Sequence, residues 1–202
     1  MDGSKGIKVI LLGESGVGKT NLINITVGKE FDPYSKSSLS SSFIENILEY
    51  KNKQYLYCLW DTAGQERFRA LNQIFIKGSK IVMVVFSIEN QSSFNQTEYW
   101  INYAKEILGE EKYILALVAN KSDLYEEQVV PEDDIIKAAK EYNIKYVITS
   151  ACSDAAGFRL FVNELIIDYI EMIGLVPEKQ SYIKLNNKED KNNNNTKGKK
   201  CC

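Results

Sequence analysis

The chain has 202 residues, 44% hydrophobic and 26% charged, with a net charge of −2 and no histidine. That balance fits one globular domain plus a tail. Four cysteines without a C-x-x-C pair, and no histidine, argue against a disulfide framework and a zinc site and point to a reduced, intracellular compartment. No stretch approaches the ~18 apolar residues of a membrane span. The opening MDGSKGIKVILLGES runs into a glycine-rich loop rather than a cleavage site, so no signal peptide is expected. Charge is unevenly placed: residues 178–202 hold seven Lys and three acids, or +4, which leaves −6 on the rest. An acidic body predicts no nucleic-acid partner.

Along the chain, IKVILL (7–12) reads as a buried strand. FIENILEY (43–50) alternates with period two, as a half-exposed edge strand does, and QYLYCLWD (54–61) follows a short turn at Asn52-Lys53, forming a hairpin. KIVMVVF (80–86), YILALVA (113–119) and KYVITS (145–150) are apolar runs typical of parallel strands covered on both faces. Between them, Phe94, Thr97, Ile101, Ala104 and Leu108 share one helical face closed by Gly109. Pro131 followed by Glu132, Asp133 and Asp134 opens another helix, with acids at its positive end. Phe158, Phe161, Leu165, Tyr169 and Met172 line a third, and the Asn-rich, basic segment KNNNNTKGKK predicts disorder. Repeated strand–helix–strand units imply an α/β fold, a mostly parallel sheet with helices on both faces. Ligands of such sheets bind at the carboxyl ends of the strands.

Four motifs fall at those ends. GESGVGKT (Gly13, Glu14, Ser15, Gly16, Val17, Gly18, Lys19, Thr20) fits the phosphate-loop pattern between a strand and a helix. Its glycines let backbone N–H groups turn inward on an anion, and the helix adds its positive end. Lys19 reaches the β- and γ-phosphates, and the Thr20 hydroxyl suits Mg²⁺. In WDTAGQERFR (60–69), Asp61 is placed to hold the metal, Gly64 to offer its N–H to the γ-phosphate and Gln65 to orient an attacking water. In NKSD (120–123), the Asp123 carboxylate matches two N–H donors on one edge of guanine, which adenine lacks, and a buried Asp would be left unpaired by adenine. Asn120 braces that loop, and the Lys121 stem lies along the purine. In TSAC (149–152), the Ala151 N–H meets the guanine carbonyl, flanked by Ser150 and Cys152.

With these motifs in this order and spacing across residues 7–174, the chain resembles the Ras-superfamily small GTPases and, within them, the Rab family; WDTAGQERFR is nearly a Rab signature. The resemblance implies a P-loop NTPase G domain over residues 1–176, with a six-stranded, mostly parallel sheet, and a tail over 177–202. It implies a monomeric switch that binds GTP or GDP with Mg²⁺, hydrolyses GTP slowly and regulates vesicle traffic. It places Ser38 as the third metal ligand, Phe31 against guanine, and Phe43, Trp60 and Phe75 as the aromatic triad shown to effectors. It makes Cys201 and Cys202 a double geranylgeranylation site, with the tail lysines as an electrostatic aid to membrane binding. Implied partners are an exchange factor, a GTPase-activating protein, effectors, a prenylation escort and a GDP-dissociation inhibitor. The implied location is the cytosol and the cytoplasmic face of intracellular membranes, with ERFRALNQIF and LSSSF closer to early-endocytic Rabs.

The chain departs from the Rab pattern at four places. SSLSSSF (37–43) replaces STIGVDF, so Ser38 stands for a threonine and keeps the hydroxyl without the methyl that restricts its rotamers. Weaker ordering of this loop by GTP is expected. Cys152 replaces a lysine, Phe75 a tyrosine, and FSIE (86–89) a YDIT-type segment. Rival readings are a Rab-like scaffold that switches weakly, another Ras-superfamily signalling GTPase, and a P-loop kinase of small metabolites.

Overall fold

The computed structural model describes residues 6–33, 42–61 and 69–175. Ser38, Gly64, Gln65, Cys201 and Cys202 lie outside the described residues.

The described residues form β1 (Ile7–Leu12), α1 (Lys19–Thr26), β2 (Ser42–Tyr50), β3 (Lys53–Asp61), α2 (Arg69–Ile76), β4 (Ile81–Ser87), α3 (Gln91–Asn95), α4 (Thr97–Leu108), β5 (Ile114–Asn120), α5 (Glu132–Tyr142), β6 (Lys145–Ile148) and α6 (Ala155–Met172). The sheet order is β2-β3-β1-β4-β5-β6. Only the β2–β3 hairpin is antiparallel; β3–β1, β1–β4, β4–β5 and β5–β6 are parallel. The expected six-stranded, mostly parallel sheet is therefore what forms.

Period-two alternation in the central strands builds a core on each face. Val9, Leu11, Met83 and Val85 pack with Leu22 of α1 and Phe158, Leu165 and Ile166 of α6. Ile10, Leu12, Val84 and Phe86 pack with Ile101 and Ala104 of α4 and Ile135 of α5 on the other. Each large apolar side chain removed from water contributes roughly 1.5–3 kcal/mol. The sheet is fixed from both sides, and the carboxyl ends of the five parallel strands, β1, β3, β4, β5 and β6, open on one rim.

Three details differ from the sequence reading. The hairpin turn is Lys51-Asn52, one residue earlier than expected, with both residues left-handed at φ 49° and 60°; a two-residue loop of this kind matches the twist of the flanking strands. The helix read through Phe94 to Leu108 is two helices meeting at Gln96. Asn90 caps α3 by accepting from the Ser93 N–H at 3.0 Å, and the Thr97 hydroxyl donates back to the Phe94 carbonyl at 2.7 Å. Such local bonds compete with a continuous helix. Met172, on the stripe of α6 read as core, is 41% exposed, because it lies in the last turn beyond Ile170, which is buried.

Candidate functional site

The loop after β1 is shaped by its glycines, two of which have no room for a side chain. Gly13, Gly16 and Gly18 have φ of 143°, 80° and 96°. A Cβ on Gly13 would overlap the Val85 carbonyl oxygen, and one on Gly18 would overlap the Asn120 amide nitrogen. The loop thus curls tightly against the ends of β4 and β5, and its backbone can close around an anion.

Lys19 is 5% exposed. Its ammonium donates to the carbonyls of Gly13 at 2.8 Å and Glu14 at 2.7 Å. Burial lowers its pKa to about 8, although Asp61 and Glu14 pull it upward. The result is a cation folded under its own loop and made costly by desolvation, which an incoming phosphate relieves. The Thr20 hydroxyl, at the start of α1, donates to Asp61 Oδ2, at the end of β3, at 2.8 Å. One hydroxyl and one carboxylate so placed are the oxygen donors that Mg²⁺ takes alongside substrate phosphates and water. The residues present fit that ion, and among the described residues there is no cluster of three or more His, Cys, Asp or Glu to favour a softer one.

The Glu14 carboxylate accepts from Trp100 Nε1 of α4 at 3.2 Å. The acid is thereby held by α4, and its part in the loop is played by its backbone. Ser15 and Gly16 are exposed at the loop tip, and Val17 is buried beneath it.

The base side is tied directly to the phosphate side. Asn120, at the end of β5 and 1% exposed, donates to the Val17 carbonyl at 2.7 Å. Its Oδ1 accepts from the Ala151 N–H at 3.2 Å. Asn120 braces the loops as expected. The Ala151 N–H, expected to face a guanine carbonyl, donates to Asn120 here. Ser150 is buried; its hydroxyl donates to the Asp123 carboxylate and accepts from the N–H groups of Cys152 at 3.0 Å and Ser153 at 3.1 Å. Asp123 itself is exposed, on a surface 3₁₀ turn, Ser122–Glu127. Cys152 is exposed beside it. Lys121 is left-handed, φ 65°, and its ammonium pairs with Glu89 at 2.6 Å. Phe31 is 37% exposed on the segment after α1, which is pinned where Asn21 donates to the Asp32 carbonyl at 3.0 Å.

On the adjoining face of the hairpin, Phe43 stacks on Trp60 at 4.9 Å and Trp60 meets Phe75 at 6.1 Å. Lys8 lies over the Trp60 ring at 4.8 Å. The three aromatics singled out from the sequence therefore form one patch, with Phe43 52% exposed. Two contacts escaped the sequence reading. Trp100 carries a donor that a buried indole must satisfy, and Glu89 falls in the FSIE departure.

The Ras family model matches residues 8–169. Ras-related protein Rab-21 of Geodia cydonium is 36% identical over 156 residues, 77% of this chain and 68% of the relative. Ras-related protein Rab-22A of Homo sapiens, and that of Mus musculus, is 33% identical over 162 residues, 80% of this chain and 80% of the relative. The chain belongs to the Rab family of small GTPases. As a Rab, it is a GTP-binding and GTP-hydrolysing switch of membrane traffic that uses guanine nucleotide with Mg²⁺ and works through regulators and effectors. No helix of this Rab's described residues is long and apolar enough to cross a membrane.

Proposed function

We propose that this Rab holds guanine nucleotide across the rim described above: Gly13–Thr20 on the phosphates, and Phe31, Asn120, Lys121, Asp123 and the Ser150–Cys152 loop around the base. The hydrogen bond from Asn120 to the Val17 carbonyl carries this reading, because it makes the two halves one unit. Lys19 neutralises phosphate charge. Asp123 discriminates guanine by accepting from its N–H edge. Thr20, Asp61 and Ser38 would hold Mg²⁺, which when bound shields the charge that develops on the phosphates. Gln65 orients the attacking water, and Gly64 and Ser38 report the γ-phosphate to the two surface loops. Among the described residues no arginine side chain is placed at the site, and we expect slow intrinsic turnover that an activating protein accelerates. Single-turnover hydrolysis by Gln65→Leu tests the assignment: GTP stays bound for many parental half-lives, whereas an unaltered rate removes Gln65 from the chemistry.

The division into a G domain over 1–176 and a tethering tail over 177–202 belongs to the same reading. Cys201 and Cys202 carry prenyl chains, and the tail's +4 charge favours an anionic leaflet. Detergent partitioning of Cys201→Ser/Cys202→Ser identical to that of the parent contradicts lipidation there. The membrane we assign is early endocytic, on the likeness of ERFRALNQIF and LSSSF to that branch. A tagged copy that marks another compartment contradicts it.

The serine-rich SSLSSSF segment supports a second reading, a scaffold that holds nucleotide without switching. Effector capture that prefers the GTP-analogue form excludes it; equal capture in GDP and GTP-analogue forms establishes it.

A further inference from the structure

The segment after β4 reads Ser87-Ile88-Glu89, where the Rab pattern has a YDIT-type sequence. It runs beside the end of β5: Ser87 pairs with Asn120 in the parallel register, and the Ile88 N–H donates to the Asn120 carbonyl at 3.1 Å. Glu89 therefore arrives next to Lys121. Its Oε1 lies 2.6 Å from the Lys121 ammonium, and its Oε2 accepts from the Ser87 hydroxyl. The two side chains are only 31% and 21% exposed, Lys and Glu in that order. Lys121 is also left-handed, so its direction is set from the backbone as well.

We propose that Glu89 is a positioning residue for the guanine pocket, holding the Lys121 stem in the place where it covers the purine face. This rests on the assignment of Lys121 to the base in the proposed nucleotide site. A free lysine has many rotamers, and binding that must order it loses affinity; a stem already fixed at its tip by a sheltered ion pair escapes that loss. Ser87 fixes Glu89 in turn, so the anchor is itself braced. A threonine at position 89 lacks the charge and the length to do this, and the device is a property of this chain's FSIE segment.

Dissociation of fluorescently labelled GDP from the Mg²⁺-loaded full-length protein tests the proposal. Glu89→Gln keeps the shape and removes the charge. It is expected to speed release about three- to tenfold, with Glu89→Asp in between. In a Lys121→Ala background the same substitution is expected to change release by less than about a factor of two. Melting of the GDP-loaded variants checks that each is folded, and Glu89→Asp alone carries the comparison should Glu89→Gln not fold. Parental release rates in Glu89→Gln overturn the proposal. So does an acceleration that persists in full without the Lys121 side chain, because Glu89 would then act only as a staple between two strand ends. A parent that retains no labelled GDP overturns the nucleotide-site reading itself, and this inference with it.

Discussion

The side-chain amide of Asn120 reaches both the phosphate loop and the base loop. Removing it leaves the Val17 carbonyl and the Ala151 N–H without their partner in a buried site. Each orphaned group costs ~1–3 kcal/mol, so Asn120→Ala is expected to lower unfolding free energy by about 2–4 kcal/mol in a denaturant titration and to weaken nucleotide retention. A loss below about 0.5 kcal/mol contradicts the bracing role. Lys19 gives the site a pH signature. Its folded pKa, about 8, lies below the ordinary 10.5 because burial penalises the cation. Sign follows from linkage: the penalty on folding is complete below about pH 8 and lifts as pH rises from there through 10.5. Phosphate needs the cation, so nucleotide binding at about pH 9 must take up a proton, and affinity falls as pH rises above the free-state value. Calorimetry at that pH in buffers of different ionisation heat is expected to show uptake approaching one proton; no uptake contradicts it. At this scale the bracing amide and the metal-side pair Thr20–Asp61 were legible, because motif spacing after a strand places them. The exposure of Asp123, the capture of the Ala151 N–H and the Trp100–Glu14 bond were not, since the last joins residues 86 apart and depends on how α4 packs.

Among the elements, the strands were the most readable. Runs such as IVMVVF have no polar residue to expose, and β4 is buried along its whole length. Boundaries were less so, for they turn on single hydrogen bonds rather than on periodicity. The one-residue error at the hairpin arose because Lys and Asn both accept left-handed backbone here, and the break at Gln96 arose from the local bonds of Asn90 and Thr97. The cap that matters most for the site is Asp154. It accepts from the Gly157 N–H at 3.0 Å and from the Thr149 hydroxyl at 3.2 Å, fixing the start of α6 directly after the base loop. Asp154→Ala is expected to cost ~1–2 kcal/mol of stability and to accelerate nucleotide release modestly. Unchanged thermal unfolding contradicts it.

Over the whole molecule, the two-sided core and the four strand-end loops are one design: burial on both faces of the sheet holds β1, β3, β5 and β6 so that their carboxyl ends meet. The fold was legible because strand–helix alternation leaves few topologies. The NKSD motif pointed to a guanine-selecting loop, and the structure sets its Asp123 exposed at the rim. An acidic body is joined to a basic tail, so charge is divided along the chain. All of this depends on guanine being distinguished from adenine at Asp123. Calorimetric titration of nucleotide-depleted protein with GDP and with ADP, both with Mg²⁺, tests it most directly. The account predicts GDP binding at least about a thousandfold tighter than ADP; equal affinities, or no uptake of GDP, contradict it.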